Sequence, residues 1–306
     1  MLSSILSRIA GSWNRYEGPT WIVAVAVYGG WFTLVAFAAR LPWWIVLPFG
    51  AYLVAWHASL QHETIHAMTD VPRRLKTALA SLPVGIFVPY AVYVRDHQRH
   101  HAASNIASEG DPESDFHGEA EWNAYPPALR ALYLFNQTLL GRFLAGPPLQ
   151  LSRLARDEWL RVRAGDLALA RTWLLHAFSV ALLLAAVQTF AHLAWWRYLL
   201  LFAWPGYALG LLRSFAEHRW TTSTRERTAI VESSFPLALL FLNNNLHLVH
   251  HLRPSLPWYE IPRAWQAQRE WLLEINGRFF FGGYTEIARR WALRPIAIPV
   301  RTSNQD

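Results

Sequence analysis

The sequence predicts an all-α integral membrane protein, with four transmembrane helices in two hairpins and a cytoplasmic helical cap that carries a set of histidine boxes. Three observations predict it. The 306-residue chain is 53% hydrophobic, with 17 Trp and only 16% charged residues, which is too apolar for an ordinary soluble domain. Four stretches approach the roughly 20 helical residues needed to cross a bilayer core. Eight of the 13 histidines fall in three short windows outside those stretches.

The four expected spans are Thr20–Ala39, Pro42–Leu60, Thr172–Ala194 and Trp195–Leu212. Little more than Arg40-Leu41 joins the first two, and Ala194-Trp195-Trp196-Arg197 joins the second two, so each pair must be a tight helical hairpin. Both connectors then face the same side. Arg40 and Arg197 are the only basic residues there, against 26 of the 28 in the amino terminus, the central loop and the carboxy-terminal third. The positive-inside rule therefore places those three regions in the cytoplasm. Trp43, Trp44, Trp195 and Trp196 suit an interfacial aromatic belt at the connectors.

The remaining elements follow from local pattern. Met1 to Gly18 is polar, carries Arg8 and Arg15 and lacks a signal-peptide core, so the first apolar segment is expected to stay in the protein. Ala78–Val94 is apolar but interrupted by Pro83 and Pro89, which predicts a re-entrant or interfacial segment. Leu132–Leu149 reads as a helix lying on the membrane surface. Ile261–Asn276, with Trp265, Trp271, Leu272 and Ile275 at helical spacing, reads as a helix packed on the cap. The chain from 1 to 306 is expected to be one domain, its cap formed by residues 61–171 and 213–306.

Composition also excludes. With no Cys, the chain can hold no disulfide, rubredoxin-like centre or cysteine-ligated iron–sulfur cluster of its own. A net charge of +7 raises nucleic acid as a partner, but the basic residues bracket apolar segments and form no aromatic-basic patch, so a membrane accounts for them better.

The first histidine window, His62-Glu-Thr-Ile-His66, matches the H-E-x-x-H pattern of zinc proteases, in which two histidines share a helix face and the glutamate is general base. The other two repeat one another: His97-Gln-Arg-His100-His101 and His247-Leu-Val-His250-His251. An even scatter would place fewer than one histidine in these windows. Residues at i, i+3 and i+4 lie on one face of a helix, so each box directs two or three imidazoles toward a common point, as metal ligation requires. Eight or more imidazoles exceed what one tetrahedral zinc can use, whereas two irons with open positions for oxygen could use them all. A protease leaves two boxes unexplained. A metal transporter would place its site at mid-membrane on broken helices, whereas these boxes fall beyond the ends of the spans.

Words around the boxes add a resemblance: His100-His101-Ala-Ala-Ser-Asn105, Gly110-Asp-Pro-Glu-Ser-Asp115, Ala216-Glu-His218-Arg-Trp, Asn244-Asn-Leu-His247 and Pro257-Trp-Tyr259. With box one after the second span, box two in the central loop and box three after the fourth, the chain resembles bacterial members of the membrane fatty-acid desaturase superfamily. The stearoyl-type branch has a ninth histidine after the fourth span, which His218 matches, and a water-linked Asn four residues earlier, where this chain has Ser214.

The resemblance implies nine metal ligands, His62, His66, His97, His100, His101, His218, His247, His250 and His251, with no catalytic residue beyond them. It implies two Fe ions, O2 as co-substrate, a lipid or fatty acyl substrate, an external electron donor such as a ferredoxin or rubredoxin system, and a bacterial inner membrane with the active site and both termini cytoplasmic. The implied chemistry is removal of hydrogen from an unactivated C–H bond. Fatty acyl desaturation is the leading reaction; hydroxylation, ketolation and terminal-alkene-forming decarboxylation are alternatives within the superfamily, and an intramembrane zinc protease is a distant one.

Metal-bound histidines donate their second N–H to a carboxylate or carbonyl, which makes Glu63, Asp70, Asp96, Asp111, Glu217 and Glu232 candidate acceptors, with Asn105, Asn244 and Asn245 able to orient ligands. The Gly-Asp-Pro-Glu-Ser run reads as a turn. His57, His117, His176 and His192 lack ligand spacing and are expected to be structural or substrate-facing. Arg40→Ala, on a connector remote from the boxes, is expected to leave lipid conversion in an expressing host unchanged; a large loss would contradict the topology.

Overall fold

The computed structural model describes residues 13, 15–103, 106–107 and 111–300. Those residues are mostly helical, and three helices are long and apolar enough to cross a membrane. The first two form the expected hairpin: α1 (Gly18–Ala38), with a proline in its first turn, and α2 (Trp43–His66), entered through Pro42. Proline suits both starts because its fixed φ is helical and its missing N–H would be unpaired there anyway. The faces turned away from the protein are apolar: Val25, Phe32, Leu174 and Phe178 are each more than half exposed. Rows of such residues along helices belong in hydrocarbon, not water. Trp43, Trp44, Trp195 and Trp196 lie exposed around the connectors, as an aromatic belt requires.

The second helix does not stop at Leu60, where the apolar run ends. It continues to His66 and so carries the first histidine box on the rigid end of a spanning helix. No Gly or Pro interrupts Gln61 to His66, and the helix closes where Met68 adopts the left-handed region with its amide held by the Glu17 carboxylate.

After α3 (Arg73–Ala80), the segment from Ser81 to Pro89 is non-helical, as its two prolines predict, and is packed against the hairpins, with Val84 fully buried. Carbonyls at the end of α3 and along this buried segment require partners, because an unpaired buried carbonyl costs about 1–3 kcal/mol. Side chains from the helices supply them. Tyr198 Oη donates to the Val84 carbonyl at 2.8 Å, Gln61 Nε2 to Ala80 at 2.7 Å, His176 Nε2 lies 2.9 Å from the Ile86 carbonyl, and Tyr28 Oη donates to Leu79. Trp31 Nε1 in turn donates to Tyr198 Oη at 2.9 Å. The segment delivers α4 (Tyr90–Ala102), which carries the second box.

The chain continues with α5 (Glu119–Ala124), α6 (Pro127–Asn136), α7 (Leu139–Leu144) and α8 (Gly146–Arg163). The single surface helix expected over Leu132–Leu149 is therefore broken twice. Thr138 caps α7 by accepting the Gly141 N–H at 2.9 Å, and the Gly146-Pro147-Pro148 sequence starts a new helix. Arg142 is not on a surface but buried and paired with Asp115.

The third span is α9 (Leu167–Phe190), shifted toward the amino terminus relative to the expected Thr172–Ala194 because Asp166 accepts the Leu169 N–H and fixes the start there. The expected fourth span is not one α-helix: it consists of α10 (Trp195–Tyr198), a π-helical turn (Leu199–Ala203) and α11 (Trp204–Ser214). Pro205 explains the widening, since it cannot donate to the carbonyl four residues back, that of Leu201, and its ring would strike it. This run crosses α2 closely. A Cβ at Gly50 would lie 2.5 Å from the Leu201 carbonyl oxygen, and one at Gly206 would lie 2.5 Å from Val54 Cβ. Small residues at such crossings let two backbones approach.

Beyond α11, β1 (Ile230–Val231) pairs in parallel with β2 (Phe280–Phe281), enclosing α12 (Leu237–Leu240), α13 (His247–Leu252), α14 (Ile261–Ala267) and α15 (Arg269–Ile275); α16 (Tyr284–Trp291) follows. The tail helix expected over Ile261–Asn276 breaks at Gln268, although Trp265 and Leu272 are buried as its spacing requires. Replacing Tyr198 with Phe strands the Val84 carbonyl and the Trp31 indole, and is expected to cost about 1–3 kcal/mol. A lowered thermal unfolding midpoint in detergent would show it; an unchanged one would mean that water or lipid substitutes.

Candidate metal centre

Four chain segments bring the nine predicted histidines together. The last turns of α2 supply His62 and His66, α4 supplies His97, His100 and His101, the segment after α11 supplies His218, and α13 supplies His247, His250 and His251. They fall into two groups whose ligand atoms lie within 4.8 Å of one another: His62, His66, His97, His101 and His250, and His100, His218, His247 and His251. Consecutive histidines within a box split between the groups. His100 joins one and its neighbour His101 the other, because residues one apart on a helix point about 100° apart.

Within each group the imidazole nitrogens face one another. His101 Nε2 and His250 Nε2 are 3.0 Å apart, His247 Nε2 lies 3.1 Å from His218 Nε2 and 3.0 Å from His251 Nε2, and His66 Nε2 and His97 Nε2 are buried without any hydrogen-bond partner. The opposite nitrogens are taken. His100 Nδ1 donates to Asp111 at 2.8 Å, His97 Nδ1 to Glu113 at 2.7 Å, His247 Nδ1 to Asn244 Oδ1 at 3.1 Å and His218 Nδ1 to the Arg227 carbonyl at 3.3 Å. A neutral imidazole that donates through Nδ1 has a bare lone pair on Nε2, the form that ligates a metal. Burial enforces neutrality: His101 is pushed down to about 2, His218 to about 3, and His247, His250 and His251 well below the ordinary histidine range. The residues present thus fit metal ions at both groups.

Of the expected acceptors, Asp111 holds His100, and Glu217 lies 3.4 Å from His247 Nδ1 with Arg213 Nε 3.0 Å away. Burial raises the Glu217 carboxyl to about 7 against the pull of Arg213. The others serve elsewhere. Glu63 accepts the Trp258 amide at 3.0 Å, Asp70 pairs with Arg15 on the surface, Asp96 with Arg95, and Glu232 accepts Trp265 Nε1 at 2.8 Å. Asn244 joins boxes one and three, its Oδ1 on His247 and its Nδ2 3.4 Å from His62 Nε2, while Asn245 donates to the Val231 carbonyl. Asn105 lies outside the described residues. His57 contacts Tyr28 and His117 sits among Trp122, Tyr125 and Tyr133, neither in a metal group. Ser214 turns its hydroxyl back to the Leu211 carbonyl at 3.2 Å, so it does not stand in for the branch's asparagine.

Glu113 was missed, hidden in a run that reads as a turn. The run is one: the Glu113 amide donates to Asp111 Oδ1 at 3.0 Å, and that turn is what presents both carboxylates to box two. A cavity of about 390 Å³ opens beside the four-histidine group, with Asp111, Glu113, Glu217 and His218 on its metal side and Phe215, Phe279, Phe281 and Trp291 among its apolar walls. Glu113→Gln keeps the shape but weakens the acceptor for His97, and is expected to cost about 10–100-fold in metal affinity, read by equilibrium titration of the stripped protein. Unchanged affinity would make the contact incidental.

The geometry can be set beside known proteins. No curated protein matches the chain. The family model described as fatty acid desaturase matches residues 38–282, a segment that contains all nine histidines, Asp111, Glu113 and Glu217. The chain belongs to the fatty acid desaturase family.

Proposed function

We propose that the chain is an oxygen-dependent diiron oxidoreductase acting on an unactivated C–H bond of a lipid, with fatty acyl desaturation as its reaction. The observation that carries this is the convergence of nine imidazoles, five of them buried, into groups of five and four, with the Nδ1 sides of His97, His100, His218 and His247 held by acceptors. His62, His66, His97, His101 and His250 would hold one iron, and His100, His218, His247 and His251 the other. Bound there, the irons would supply reduction of O2 and the removal of hydrogen that no amino-acid side chain can accomplish.

The chain's own residues do the rest. Asp111, Glu113 and Asn244 orient imidazoles from boxes two and three, and the buried surroundings of the histidines keep water away from a reactive centre. The cavity beside the four-histidine group receives the reacting part of the substrate, its aromatic walls against methylene groups. A chain without Cys must take electrons from a separate donor, such as a ferredoxin or rubredoxin system, and its basic surface favours an acidic one. The helical run from Trp195 to Ser214 serves as the fourth span, which sets all boxes on one side as a cap on a single 1–306 domain. The arginine distribution puts that cap and both termini in the cytoplasm, at a bacterial inner membrane.

Hydroxylation, ketolation and terminal-alkene formation would use the same centre and differ in where the carbon chain lies. The protease reading fares worse, because Glu63, its general base, is engaged by the Trp258 amide and His62 and His66 join three further histidines. Purified protein is expected to carry about two irons per chain by the ligand count, and His100→Ala and His250→Ala each to abolish activity. Mass spectrometry of lipids from a host with and without the protein should show new double bonds; new hydroxyls or terminal alkenes would select an alternative. One zinc with no iron would overturn the proposal.

A further inference from the structure

A permanently charged guanidinium buried beside a cation-binding centre demands a reason, because both carry positive charge and the surroundings screen little. Arg213 is such a group. It sits in the last turn of α11 with its side chain only 15% exposed, and its Nε is 3.0 Å from Glu217 Oε1 one helical turn on. Glu217 is itself buried and lies 3.4 Å from His247 Nδ1, on the side of that ring away from its metal group. The neighbouring Ser214 turns away, so the Arg213–Glu217 pair is the polar link from the end of the fourth helical run to the histidines.

The His247 ring shows what the pair is for. Its Nδ1–H donates to Asn244 Oδ1 at 3.1 Å, and Glu217 Oε1 stands 3.4 Å away, close enough for charge attraction but without a hydrogen bond. Glu217 also borders the cavity, into which an untethered carboxylate could swing toward solvent and the mouth arginines Arg278 and Arg290. With Arg213 holding it, the carboxylate stays against the imidazole. We propose that Arg213 is a positioning residue of the metal centre, anchoring Glu217 against His247 and thereby fixing the geometry of the four-histidine group. This rests on the diiron reading and adds a residue that neither the histidine pattern nor ligand spacing marks. The contact is asymmetric: it touches a ligand of the four-histidine group, so its loss should act on one metal and spare the other.

The test uses the full chain in detergent, stripped of metal and titrated with Co(II), whose absorption reports coordination at each site. Wild type is expected to bind two Co(II). Arg213→Met should weaken one site by about 10–100-fold and change that site's absorption, the other site remaining as it was. Arg213→Lys should restore part of the loss. Because Arg213 acts through Glu217, the Arg213→Met/Glu217→Gln double variant should bind no more weakly than Glu217→Gln alone. Wild-type affinity and absorption in Arg213→Met, or losses that add in the double variant, would overturn the proposal. If Arg213→Met fails to fold, Arg213→Lys decides: altered absorption at one site supports it and an unaltered spectrum overturns it. Should wild type bind no Co(II), the metal-centre reading itself fails and the inference falls with it.

Discussion

Two imidazole nitrogens about 3 Å apart in a dry interior need a proton or a metal cation between them, since two bare lone pairs there repel. His101 and His250, and His247 with His218 and His251, are arranged in that unfavourable way, and burial opposes relieving it by protonation at His247, His250 and His251. Carboxylates and amides on the outer nitrogens then fix which nitrogen is bare. Read together, these features suit two groups of side chains able to hold metal ions. The apolar helices, the short helices between them and the buried loop all serve to bring four separated segments to that place.

How the helices accomplish this is a matter of backbone chemistry in an apolar solvent. The end of α2 stays helical through the first box, so His62 and His66 ride on a rigid rod. Close approach at Gly50 and Gly206 locks that rod to the fourth helical run, whose end positions Arg213 and, a few residues later, His218. The proline-interrupted loop leads the chain from α3 to the second box on α4. Tyr198 and His176 meet carbonyls of that loop, and Gln61 and Tyr28 meet those at the end of the helix before it. A polar contact inside the bundle and the placement of box two are therefore one feature.

Much of this was legible in the sequence because it depends on periodicity and clustering. Box spacing alone indicated convergent imidazoles, and the resemblance added His218, which the structure brings into the four-histidine group. The first hairpin followed from apolar run length and a short connector. What escaped depends on short-range competition that composition hides. Thr138 capping its own helix broke a segment that reads as one surface helix, Pro205 turned the fourth run partly π-helical, and helix starts moved with Asp166. Glu113 escaped because a Gly-Asp-Pro-Glu run is a turn signal in most settings; only the distance from its carboxylate to His97 separates a turn that connects from a turn that presents. Arg213 escaped for a different reason, since one arginine at a helix end has no signature until its partner's neighbour is known to be His247.

The central claim is that two ions sit among these particular side chains, and anomalous scattering at the iron edge from crystals of protein produced with iron tests it most directly. Two peaks are predicted, one enclosed by His62, His66, His97, His101 and His250 and the other by His100, His218, His247 and His251. A single peak, a peak away from these rings, or signal only at the zinc edge would contradict it.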